Sequence, residues 1–140
     1  MAVEPIPTPG AAPVAGPYSP AVRAGDFVVL AGQVGLGPDG TLVAGGVEAE
    51  TRQVLANLEA VLADCGVTWA DVARTGIFLT DLGNFAAVNA LYEGAIGRHR
   101  PARSTVGVAA LPAGAAVEIE CLVYDPEVRR ERERAGYPGE

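Results

Sequence analysis

Lysine is absent from this 140-residue chain, and histidine occurs once, as His99. Without lysine there is no Schiff-base catalysis, no covalently held pyridoxal phosphate and no phosphate-gripping P-loop. A single histidine rules out a His-rich metal site and leaves any Ser-His-Asp triad dependent on that one ring. The two cysteines, Cys65 and Cys121, fall on separate predicted elements, so neither a disulfide framework nor a C-x-x-C pair arises. A reducing cytoplasm is the simplest setting for them. No apolar run approaches the roughly 20 residues of a membrane span, and the N-terminus lacks the basic-then-apolar order of a signal peptide. Positive charge is also scarce: the net charge is −7, and arginines cluster only between Arg129 and Arg134. There E-V-R-R-E-R-E-R alternates in sign, which suits a solvated end rather than a phosphate-tracking patch. Chemistry is left to arginine, carboxylates, tyrosine, hydroxyls, thiols and the backbone.

The length allows one domain with one core. Hydrophobic residues make up 49% of the chain against 19% charged, so part of the apolar surface is expected to be covered by other subunits. Residues 1–17 carry five prolines and read as an extended lead-in. A short strand around Ala21 and Val22 is followed by a Gly25-Asp26 turn signal. Residues 27–34 form the most apolar strand, and Gly32 inside it suggests a bulge or the close approach of another group. After the Pro38-Asp39-Gly40 turn, residues 41–43 read as a short strand. From about Val47 to Cys65, the residues Val54, Leu55, Leu58, Val61 and Leu62 form one stripe of a helix, and Gly66 ends it. Thr68 and Asp71 start a single helical turn, residues 74–80 form a strand, and residues 81–97 a second helix. Its stripe is Phe85, Val88, Tyr92 and Ile96, with Asn89 at the border. His99 is expected in a solvated loop.

Residues 100–124 carry the polar candidates. Runs 103–108 and 116–124 read as strands joined across Pro112 and Gly114. In the second, Val117, Ile119, Cys121 and Val123 face one way, and Glu118, Glu120, Leu122 and Tyr124 the other. If these runs pair as an antiparallel hairpin, Arg103, Thr105 and Glu120 share its second face. The order β-β-β-α-β-α-β-β predicts one mixed six-stranded sheet with two helices on one face, an α+β domain over 18–125 with a charged tail over 126–140. The second face, with Arg103, Glu120, Leu122 and Tyr124, is left without a helix, so a symmetric oligomer would put it in a cleft between subunits. Against that stands the reading of Arg103 and Glu120 as an exposed surface ion pair.

The fragments G-P-Y at 16–18, A-G-Q at 31–33, D-L-x-x-F-x-x-V-N-x-x-Y from Asp81 to Tyr92, P-A-R-S at 101–104 and V-E-I-E at 117–120 occur in this order and spacing. Over Gly16 to Tyr124 the chain resembles the reactive intermediate deaminases, also called the YjgF or L-PSP family of enamine/imine deaminases. The resemblance implies a chorismate-mutase-like fold and a homotrimer with sites at the subunit interfaces. It implies that Arg103 binds the substrate carboxylate and Glu120 positions the attacking water. Tyr18, Gly32 and Asn89 would line the pocket. Thr105 stands where many members carry cysteine, and Ala31 where serine is common.

The implied reaction is hydrolysis of 2-enamino and 2-imino acids, such as 2-aminoacrylate and 2-iminopropionate, to 2-oxo acids and ammonia. It needs no metal or organic cofactor, no nucleic acid and no membrane. A guanidinium fork suits the substrate carboxylate, and a carboxylate acceptor suits the water. Two other readings remain: a regulatory trimer that binds small carboxylates without turnover, and an endoribonuclease. The acidic balance and the lack of lysine count against the latter.

Overall fold

The computed structural model describes residues 2–136. The expected stripe of the first helix becomes the centre of the core. Helix α1 (Gly46–Asp64) buries Val54, Leu55, Leu58, Val61 and Leu62, and ends where Gly66 takes a left-handed φ of 72°. The helix packs on strands β3 (Phe27–Gln33) and β6 (Val117–Tyr124) and against α2 (Phe85–Ile96). Burying such a stripe stabilises by roughly 1.5–3 kcal/mol per large apolar side chain.

Six strands form one sheet in the order β1-β2-β3-β6-β4-β5, where β1 is Glu4–Pro5, β2 Ala21–Ala24, β4 Val72–Leu79 and β5 Ala102–Gly107. Both long helices lie on one face, as the sequence predicts. The alternation of β6 is realised in full: Val117, Ile119, Cys121 and Val123 are buried under α1, while Glu118, Glu120 and Leu122 are half-buried on the other face. Two strands exchange places relative to expectation. Residues 41–43 contribute only the isolated bridge Leu36↔Leu42. The proline-rich lead-in instead supplies β1, which pairs with β2 and packs Ile6 and Ala11 against the core.

The expected hairpin between residues 103–108 and 116–124 does not form. Strand β4 lies between the two, antiparallel to β6 and parallel to β5. The β4–α2–β5 segment is a crossover unit, in which an intervening helix returns the chain to lay a parallel strand beside the first. The side-chain faces follow from the register. Thr75 sits opposite both Arg103 and Cys121, and Gly76 sits opposite both Ser104 and Glu120. Arg103 and Thr105 therefore project to the helix-covered face, and Glu118 and Glu120 to the open one.

The segment after β6 is mostly exposed, yet part of it is ordered against the domain. It forms α3 (Glu127–Arg134), clasped to the domain through Asp125. The Asp125 side chain is 4% exposed, receives Arg23 Nη2 at 2.8 Å, and also binds Arg129, which reaches on to Asp71. Burial pushes the Asp125 carboxyl up, but hydrogen bonds from Arg129 and Arg23 and their charges hold it below its ordinary range. His99 likewise is half-buried, with Nε2 2.7 Å from the Val72 carbonyl oxygen, and it pins the chain leading into β5. Among the described residues no helix is long and apolar enough to cross a membrane.

Candidate functional site

The candidate residues assemble into two half-sites on opposite faces of the sheet. The first lies between α2 and the edge strand β5. Phe85 and Tyr92, seven residues apart, fall on one side of α2, and both rings turn toward β5. The Arg103 guanidinium carbon lies 5.5 Å from the Phe85 ring centroid and 5.1 Å from that of Tyr92. Such contacts hold a guanidinium flat without neutralising it. The Tyr92 hydroxyl is 2.8 Å from Thr75 Oγ1 in the core, which fixes the ring. Burial raises the Tyr92 pKa, and the Thr75 hydrogen bond and the Arg103 charge oppose that shift.

Arg103 has no hydrogen-bonded or ion-paired acceptor among the described residues, although a carboxylate is the ordinary partner of a half-buried arginine. It lines a cavity of about 340 Å³ together with Asn89, Tyr92, Glu93, Ile96 and Arg100. That volume lies within the 300–1,000 Å³ typical of small-molecule sites. Thr105, two residues along β5 on the same face, has a buried Oγ1 without a partner. Buried hydroxyls are ordinarily hydrogen-bonded, so among the described residues the Thr105 hydroxyl is short of a partner and the half-buried Arg103 guanidinium of an anion.

The second half-site lies at the end of β3 on the open face. The register of β3 with β6 shifts between Leu30 and Gln33, and Gly32 falls inside that irregularity. A Cβ on Gly32 would stand 2.8 Å from both Cδ and Oε2 of Glu118, so only glycine lets this carboxylate lie against the strand. Tyr18, Val14, Gly32, Ala113 and Glu118 line a cavity of about 120 Å³. Ala113 has φ 60° and ψ 17°, a left-handed conformation unusual for alanine. The loop carrying it is tied to α1 by the Ala116 N–H, which donates to Glu50 Oε1 at 2.8 Å. Burial, and then the Glu120 charge, push the Glu118 carboxyl above its usual range.

The sequence grouping of Arg103 with Glu120 on one face is thus corrected: β4 intervenes, and the two residues project from opposite faces. Asn89 joins Arg103 in one cavity, while Tyr18 and Gly32 join Glu118 in the other. Glu120 occupies neither. It faces Gly76, whose Cβ would stand 2.9 Å from Glu120 Oε1, in a separate depression with Arg74, Val29 and Leu122. Residue type could not separate two glutamates two positions apart on the same strand face; the position of Gly32 across the sheet does so. The Phe85–Tyr92 platform was visible only as an apolar stripe. Among the described residues no group of three or more His, Cys, Asp or Glu side chains could hold a metal ion.

Residues 9–125 match the family described as Endoribonuclease L-PSP. A RutC family protein of Pyrococcus abyssi is 37% identical over 125 residues, covering 89% of this chain and 98% of that protein. The mouse protein named 2-iminobutanoate/2-iminopropanoate deaminase is 43% identical over 108 residues, covering 76% of this chain and 80% of its own. The crystal structure of RidA from an Antarctic Psychrobacter superposes with a TM-score of 0.82 at 38% identity, over 86% of this chain and 98% of that one.

Proposed function

Because this chain belongs to the Endoribonuclease L-PSP family, whose curated relatives include RutC family proteins and imine deaminases, we propose that it hydrolyses 2-imino acids and their enamine tautomers. The products are 2-oxo acids and ammonia, and each site is shared by two copies in a homotrimer. The observation that carries this reading is the Arg103 guanidinium, set against the Phe85 and Tyr92 rings and lining a cavity without an acceptor among the described residues.

A substrate carboxylate gives Arg103 the bidentate partner it lacks among the described residues. The Thr105 hydroxyl and the Asn89 amide supply polar contacts on the same side. The acid comes from a neighbouring copy, since among the described residues no carboxylate of the same chain pairs with the Arg103 guanidinium, and the one carboxylate lining its cavity, Glu93, pairs with Arg100. Glu118 takes the role first assigned to Glu120, because Glu118 shares its cavity with Tyr18 and Gly32. Its carboxylate accepts a proton as water adds to the imine carbon and forms a tetrahedral amino alcohol. The imine enters protonated on nitrogen, so this adduct is neutral; the proton on Glu118 then passes to the nitrogen, the C–N bond breaks as the hydroxyl proton returns to Glu118, ammonia leaves and the carbonyl forms. One water enters, one ammonia departs, and no electrons are exchanged with a cofactor. A carboxyl with a raised pKa suits both the taking and the return of the proton.

Assembly is supported by the open sheet face, where Phe27, Val29, Val106 and Tyr124 are each 40–49% exposed. An open sheet face carrying exposed side chains of this size calls for a covering surface, and copies of the chain provide one. The direct test supplies imine in situ from an amino-acid oxidase and follows its loss against a protein-free control. Faster loss with stoichiometric ammonia supports the proposal, and no acceleration overturns it.

A further inference from the structure

A second cation faces the cavity that holds Arg103. Arg100 Nη1 donates to the carbonyl oxygens of Gly97 at 2.6 Å and His99 at 2.9 Å, which fixes the side chain at the C-terminal end of α2. The segment itself is pinned by the His99 contact with Val72. Among the described residues the other terminal nitrogen, Nη2, meets only Glu93 Oε1 at 3.3 Å, in a pair whose side chains are 60% and 70% exposed. An ion pair this exposed is worth little, so a ligand anion can take Glu93's place while Glu93 turns to water. Arg100 and Arg103 line the same cavity, with Tyr92 also in its wall. Two guanidinium groups and one carboxylate line this cavity, and its walls carry net positive charge in a chain of net charge −7.

We propose that this cavity accepts imino acids bearing a second carboxylate, with Arg103 holding the carboxylate next to the imine carbon and Arg100 the distal one. The substrate class is that of four- and five-carbon 2-imino dicarboxylates, the imines of aspartate and glutamate. The inference rests on the deaminase reading above and specifies its substrate. The distal carboxylate passes through unchanged: water adds at the imine carbon, the C–N bond breaks and ammonia leaves, giving a 2-oxo dicarboxylate. A three-carbon imino acid uses only Arg103 and leaves Arg100 idle.

The test compares imines generated in situ from D-aspartate, D-glutamate and D-alanine by the matching oxidases, for the wild-type protein and for Arg100→Gln. Loss of a hydrogen bond between charged groups corresponds to about tenfold in binding. The expected result is a ratio of kcat/KM, dicarboxylate to 2-iminopropionate, about tenfold lower in Arg100→Gln than in wild type. An unchanged ratio, or a wild-type protein that hydrolyses 2-iminopropionate but not the dicarboxylates, overturns the proposal and leaves the deaminase reading standing. A second arm measures binding of 2-oxoglutarate and 2-oxobutyrate by calorimetry. Tighter binding of 2-oxoglutarate that is lost in Arg100→Gln supports the distal anchor even if no imine is turned over, in which case the deaminase reading alone falls. Equal binding of the two acids by the wild-type protein overturns the anchor.

Discussion

Gly32 and Glu118 are interlocked: the carboxylate of Glu118 occupies the space where any other residue at position 32 would place its Cβ, 2.8 Å away. The contact is with the far end of a flexible side chain, so a methyl group there displaces the carboxylate rather than the strand. Gly32→Ala is expected to keep its fold and melting temperature while losing about 10²-fold in kcat/KM, the scale of a misplacement near 1 Å. Thermal melts beside imine kinetics check this. Full activity in Gly32→Ala would detach Glu118 from the chemistry.

Glu118 and Glu120 can be told apart by pH. Glu118 is pushed upward by burial and by the neighbouring Glu120 charge, so activity should fall on the acid side above the ordinary glutamate value of 4.5. Glu120→Gln removes that charge and should move the acid limb of kcat/KM to lower pH, with the rate at neutral pH largely kept. Glu118→Gln should instead lower kcat across the whole range, since the amide cannot take a proton. Stability runs the opposite way. The native state keeps the Glu118 proton to a higher pH than the unfolded chain, so its contribution is largest below the unfolded value and is lost as pH rises through the folded one. Denaturation of Glu118→Gln should lack that decline.

How much of this was legible beforehand depends on what each pattern encodes. The α1 stripe and the alternation of β6 were readable because burial acts on residues close in sequence. The partner of β5 was not, because alternation fixes which way side chains point but not which strand lies alongside. The strand–helix–strand order of 72–107 already argued for a parallel pair, yet the short loop from Val108 to Ala116 suggested a hairpin. With β4 between β5 and β6, Arg103 projects to the other face, away from Glu120. Glu118 stood inside the recognised V-E-I-E fragment, and only its contact with Gly32 across the sheet marks it out.

The Asp125 clasp should dominate the stability of the C-terminal segment. Asp125 is buried against Arg23 and Arg129, and its pKa is held low, so its contribution is present above the ordinary value of 3.8 and lost as pH falls through the folded one. Asp125→Asn leaves Arg23 without a carboxylate among the described residues, removes one of the carboxylates that Arg129 bridges, and is expected to cost about 1–3 kcal/mol at neutral pH. Chemical denaturation at pH 7 and pH 3 should find the difference between wild type and variant shrinking at the lower pH.

Ala113 gives an opposite sign. Its left-handed φ costs an L-residue about 1–2 kcal/mol, which glycine avoids while adding freedom to the unfolded chain. Ala113→Gly is therefore expected to be neutral or to stabilise by up to about 1 kcal/mol. A clear loss in denaturant midpoint would mean that the alanine methyl group packs more favourably than its backbone is strained.

The central claim is that Arg103 of one copy and Glu118 of another complete one site. Arg103→Ala and Glu118→Gln should each assemble yet be nearly inactive. Even Arg103→Lys, which keeps the charge but not the planar fork, should lose most activity. The decisive measurement mixes the Arg103→Ala and Glu118→Gln chains, co-refolded in equal amounts, and assays imine hydrolysis. Random assembly of a symmetric ring leaves about one quarter of the interfaces with both residues intact, so about one quarter of wild-type activity should return. If the mixed oligomers form and stay as inactive as their parents, the two residues do not meet across an interface and the account of the site is wrong.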